Sequence, residues 1–176
     1  MNTALLIGRV FFGLGIAGHG AQKLFGWFGG YGLAGTSGFF EQLGFRPGRT
    51  FATAAALAES VGGALVALGF LGPAGPAMVL LVMLVATMVV HLKNGFFVDK
   101  NGVELPMLYA MGALVLAFTG PGAYSLDRVL GLGSLSNERA ATLCVGAAVL
   151  GALLNVAARR APTQAQPQSQ ASAKAA

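Results

Sequence analysis

The chain has 176 residues, of which 55% are hydrophobic and only 10% charged, whereas soluble domains carry about 25% charged residues. That balance excludes a soluble globular domain and points to an all-α, polytopic transmembrane helical bundle. The net charge of +5 comes from scattered or helix-end basic residues, so it bears on membrane topology and no nucleic-acid partner is expected.

The first segment, Thr3 to Leu24, is long enough to span a bilayer, which takes about 20 residues. No Lys or Arg precedes it and no small-x-small site follows, so it is expected to stay as a membrane helix. A loop from Phe25 to Gly48 comes next. Its middle, "GTSGFFEQLGF", fits a short helix capped by Thr36 or Ser37. Phe39, Phe40, Leu43 and Phe45 make it amphipathic, so it lies at the interface or folds back over the bundle.

Arg49 to Leu71 form the second segment, with Pro47 placed for a helix start and Glu59 embedded in it. The tight "GPAGP" turn, residues 72–76, leaves room only for an antiparallel hairpin. The third segment runs from Ala77 to Leu92 and ends at His91 and Lys93. Two Asn-Gly pairs mark turns in "KNGFFVDKNGVE". Glu104 to Thr119 form the fourth segment, with Pro106 in its first turn. A short surface helix fits Leu126 to Leu130. Ser136 or Asn137 can cap the fifth segment, Arg139 to Ala157. Residues 161–176 are a low-complexity tail too poor in apolar groups to fold. The expected organisation is a four-helix bundle over 1–132, an additional C-terminal transmembrane helix over 133–160, and the tail.

Loops one and three and the tail hold Lys23, Arg46, Arg49, Lys93, Lys100, Arg159, Arg160 and Lys174, against Arg128 and Arg139 on the other side. With five spans, the excess of basic residues puts the N-terminus outside and the C-terminus in the cytoplasm. The lone Cys144 lies in an apolar run and reads as a packing residue, with no CxxC pair for thiol chemistry.

An antiparallel arrangement gathers polar residues on the loop-one side. His19, Gln22 and Lys23 share one face of the first helix at i, i+3 and i+4. Glu59, His91 and Glu104 reach the same half of the bundle from three further helices. Arg9 falls near the same face but deeper, and a buried charge in lipid needs a partner, so Arg9 is expected to pair with Glu59. Each residue also has a plainer reading: an ion pair, an interfacial anchor, a helix-end histidine, or a charge at a helix N-terminus. No HxxxH or HxxE spacing supports a metal site, and none is expected. A histidine and a carboxylate at an apolar pocket can bind a quinone and relay protons. Phe25, Trp27, Phe28, Phe96 and Phe97 are candidates for its aromatic wall, although Trp27 also suits an interfacial belt.

The stretches "HGAQKLFGWFGGYGLAGTSGFFEQLGF", "AALAESVGGALVALGF", "MLVATMVVHLKNGFF" and "GVELPMLYAMGALVLAFTGPGAYSLD" together resemble the DoxX family of small bacterial membrane proteins, from Arg9 to Arg128. The resemblance implies a four-helix bundle in the bacterial inner membrane, with the fifth helix and tail lying beyond it. The family's name comes from a subunit of a thiosulfate:quinone oxidoreductase, and some relatives are described as membrane partners in redox complexes. The chain has no cysteine pair, haem motif or dinucleotide fingerprint. Any electron transfer would therefore need a bound quinone or another subunit. The leading expectation is a quinone- or redox-associated membrane subunit with a redox partner protein. The alternatives are a non-catalytic scaffold and a small-solute permease.

Overall fold

In the computed structural model, which describes residues 2–160, the chain forms helices joined by short turns, with no strand among those residues. Helix α1 spans Asn2–Phe25, α2 Gly32–Gln42 and α3 Gly48–Leu68. Helix α4 starts as Ala74–Ala86, widens to a π-helical turn at Thr87–His91, and ends in a 3-10 turn at Leu92–Asn94. Helix α5 is Glu104–Thr119, α6 is the single turn Leu126–Val129, and α7 is Glu138–Ala157. Four helices are long and apolar enough to cross a membrane: α1, α3, α4 with its extension to Asn94, and α7. Helix α5 is apolar but has 16 residues, about 24 Å at 1.5 Å per residue. The chain is a multi-pass membrane protein. The expected tail, residues 161–176, lies outside the described residues.

Close packing without a hydrophobic drive between helices requires small residues at the crossings. Helices α1 and α3 meet this way. A Cβ on Gly13 would strike the backbone of Gly63 and Ala67, and one on Gly20 would strike Ser60 and the Ala56 carbonyl. This register sets Glu59 roughly level with residues 17–20 of α1. Beneath it, Ile16, Val79, Leu80, Met83, Ala110, Ala113 and Ala148 form the main buried apolar cluster.

The two ends of the bundle differ. At one end the start of α1, the end of α3 and the 120–125 loop converge, with Asn2 Oδ1 3.5 Å from Ala123 N. At the other end the residues just after α7 meet the α2–α3 connection: Arg160 N donates to Gly44 O at 2.9 Å, and Arg159 Nε donates to Leu43 O at 2.7 Å. Helix α7 thus runs the length of the bundle in the same direction as α1.

Local signals explain most boundaries. Asn137 caps α7, its Oδ1 accepting from Ala140 N at 2.9 Å. Pro47 sits just before α3 in extended conformation. The expected caps Thr36 and Ser37 are a correction. Helix α2 begins earlier, at Gly32, and both hydroxyls donate to carbonyls four residues back, Gly32 O at 2.8 Å and Leu33 O at 2.6 Å. Inside an apolar setting that local bond satisfies the hydroxyl, and no cap is made.

Candidate functional site

Helix α2 folds back against α3 and completes a cavity of about 660 Å3 between α2, α3, α4 and α7. Its walls are largely apolar. Phe39 and Phe40 come from α2, Phe45 from the following turn, Phe51, Ala54, Ala55 and Ala58 from α3, and Leu81, Val82, Val85 and Val89 from the α4 side. The polar groups in the lining are few: Lys23, Glu59, His91, Asn101 and Asn155.

Lys23 Nζ donates to Glu59 Oε2 in a salt bridge. Glu59 is 2% exposed and the Lys23 side chain 29%. Side chains on a helix lean toward its N-terminus, so Lys23 leans back to the level of Glu59. Burying a carboxylate in so apolar a place is costly without a partner, and Lys23 is that partner. Lys23 also lines a second cavity, again about 660 Å3, bordered by His19, Gln22, Tyr31 and Gln42 together with Phe39 and Phe40. There His19 Nδ1 lies 3.1 Å from Gln22 Oε1, and Gln22 Nε2 donates to Phe28 O at 3.2 Å. The His19 ring packs edge-on against Tyr109, centroids 5.9 Å apart.

His91 sits at the end of the π-helical turn of α4. An extra residue per turn re-aims the side chains around it, and such turns recur at functional sites. His91 lines the first cavity, and its Nδ1 lies 2.8 Å from Asn101 O. Glu104 is not part of this group. Its Oε2 accepts from Val98 N at 2.9 Å, tying the 93–104 loop to the start of α5, and it lines neither cavity.

Arg9 corrects the expected Arg9–Glu59 pair. It is 3% exposed and donates to Val66 O at 3.3 Å, to Ala67 O at 2.5 Å and to Tyr124 O. The Val66 and Ala67 carbonyls lie seven and eight residues beyond Glu59, about 10 Å further along α3, and Tyr124 lies in the loop before α6. The last carbonyls of a helix lack intrahelical donors and carry partial negative charge, so α3's end offers Arg9 its acceptors. Phe25, Trp27, Phe28, Phe96 and Phe97 do not wall either cavity; all are at least 49% exposed. The aromatic wall is instead Phe39, Phe40, Phe45 and Phe51. The first three belong to the amphipathic run expected at the interface or folded back over the bundle, and the second alternative is the one observed. Asn155 interrupts the apolar run from Leu143 to Ala157 in α7, and that interruption is its signal in the sequence. Among the described residues no three His, Cys, Asp or Glu side chains gather as a metal-binding group.

The DoxX family model matches residues 4–92. The chain belongs to the DoxX family. The match covers all but the outer two residues of the stretch from α1 to α4 at each end, and so includes Lys23, Glu59 and His91. Helix α5, Asn101 and the α7 residue Asn155 lie beyond the matched residues. No match was found among curated proteins or among solved structures.

Proposed function

We propose that this DoxX-family membrane protein holds a lipid-soluble, hydrogen-bonding ligand of the quinone class in the Lys23–Glu59 cavity, as the membrane-embedded subunit of a redox system. The observation that carries this reading is an apolar cavity of about 660 Å3 with a buried ion pair in its wall. Ligand sites have this character, mostly apolar with a few converging polar groups. A quinone head is a flat ring with carbonyl acceptors on an apolar tail. Lys23 and His91 offer donors, Phe40, Phe45 and Phe51 offer flat apolar walls, and Ala54, Ala55 and Ala58 leave space for the ring.

When bound, a quinone supplies two-electron, two-proton chemistry. The chain's own residues would orient the ring and exclude bulk water. Glu59 and His91 would hold protons close to it. The electrons would come from a partner protein. By the excess of basic residues, the loop-one end of the bundle would face the cytoplasm of a bacterial inner membrane, with the N-terminus outside.

Gentle extraction into lipid nanodiscs, followed by mass spectrometry of retained lipophiles, tests the reading. Quinone should be retained by the wild type and fall at least tenfold in Glu59→Gln and in Ala55→Trp, which fills the cavity. Absence of quinone from the wild type, or retention unchanged in both variants, overturns it. Solute flux through liposomes lacking any redox partner would favour the permease instead.

A further inference from the structure

The two cavities share part of their lining: Lys23, Phe39 and Phe40 belong to both. On one side of this partition lies the apolar cavity with the buried Glu59. On the other lies a space bordered by His19, Gln22 and the 88% exposed Tyr31. Two phenylalanines are closed to protons, and Lys23 is the one titratable group in the partition.

We propose that the second cavity is an aqueous port, and that Lys23 is the proton-passing gate between it and the apolar cavity. The Lys23 ammonium passes one N–H proton to a Glu59 carboxylate oxygen: the N–H bond breaks and an O–H bond forms. The neutral amine left behind takes a proton from water in the port. The net result is one proton moved from the aqueous phase onto Glu59, and the steps balance without any redox agent. The paired His19 and Gln22 side chains beside Lys23 keep the port polar, which admits water up to the partition and no further. The titratable groups facing the apolar cavity are Lys23, Glu59 and His91; those facing the port are His19, Lys23 and Tyr31. The use of the delivered proton rests on the quinone reading above, but the path itself does not.

Two measurements on the full chain in vesicles test the gate without any quinone. In a Cys144→Ser background, a single cysteine replaces Gly38 in the port, where a Cβ meets nothing within 4 Å, or Ala58 in the apolar cavity. A membrane-impermeant thiol reagent should label the Gly38→Cys chain, from one face, at least tenfold faster than the Ala58→Cys chain. Adding Lys23→Ala should erase most of that difference. Equal labelling of both sites with Lys23 present, or no labelling at Gly38→Cys from either face, overturns the port.

The second measurement is the infrared carboxylic-acid band of Glu59 after an acid jump, identified by its loss in Glu59→Gln. Arginine keeps the positive charge but does not give up its proton in proteins. Lys23→Arg should therefore leave Ala58→Cys protected yet slow the rise of the band at least tenfold. A band that rises at the wild-type rate in Lys23→Arg, or that slows only in His91→Gln, overturns the gate. The ligand could still bind in that case, so this failure is separate from failure of the quinone reading.

Discussion

Arg9 and Asp127 solve related problems at the same end of the bundle. The last carbonyls of helix α3 have room for further donors, Val66 O already accepting from Gly69 N at 3.1 Å, and the tight turn that follows presents amides that need an acceptor. Arg9 covers the first, donating to Val66 and Ala67, and Asp127 covers the second, accepting from Leu71 N at 2.9 Å and Gly72 N at 2.7 Å. Both side chains are at most 3% exposed. Hydrogen bonds to charged groups contribute roughly 1.5–3 kcal/mol each. Arg9→Met should therefore destabilise the folded bundle by at least about 2 kcal/mol, read from unfolding in mixed detergent micelles, with quinone retention per folded molecule unchanged. Lys23→Met should cost about 3 kcal/mol, toward the lower end for a broken buried pair because Lys23 is partly exposed. The double variant Lys23→Met with Glu59→Gln should recover most of that loss, since no uncompensated charge remains.

At the scale of elements, glycine placement separates contact from lipid-facing surface within one helix. Gly20 lies hard against α3, whereas a Cβ on Gly18 meets nothing within 4 Å. Gly20→Leu should disrupt the α1–α3 crossing and abolish stable folding. Gly18→Ala should be neutral or stabilise by up to about 1 kcal/mol through helix propensity; the same unfolding assay reads both.

Apolar length, Pro47, Pro106 and Asn137 are local signals, so the sequence carried the long helices to within a few residues, although α2 starts at Gly32 with no Thr36 or Ser37 cap and α4 starts at Ala74, inside the expected GPAGP turn. It carried less of the site. The antiparallel order placed Lys23, Glu59 and His91 in one half of the bundle, but pairing depends on the depth at which α1 and α3 cross. That depth is set by Gly13, Gly20 and Gly63, so Arg9 was matched to the wrong acceptor. The cavity wall was hidden for a similar reason. Phe39, Phe40 and Phe45 read as amphipathic whichever way α2 lies, and only tertiary packing buries Phe45 and sets Phe39 and Phe40 along the cavity edge.

For the whole molecule, the cavity draws on the matched DoxX residues and on parts beyond them. Residues from α1 to α4 supply the ion pair, the aromatic wall and His91, while α7 packs along α4 and brings Asn155 into the lining. With α1 and α7 running in the same direction, the two ends of the described chain lie at opposite ends of the bundle. Reporter tags before α1 and after Arg160 should accordingly read out on opposite membrane faces. Tags on the same face would contradict that arrangement.

The tie between Arg159, Arg160 and the α2–α3 turn has a consequence for biosynthesis. Arg159 also lies over the Phe45 ring, 5.8 Å from its centroid, so the residues that follow α7 clasp a turn made more than a hundred residues earlier. Until the ribosome has released α7, the groove beside α4 stays open to lipid on that flank. A nascent chain stalled before α7 would hold its ion pair in a cleft rather than a chamber. In that order of synthesis, closure of the chamber follows the docking of α7, so a lipophile already in the groove would be enclosed at that step.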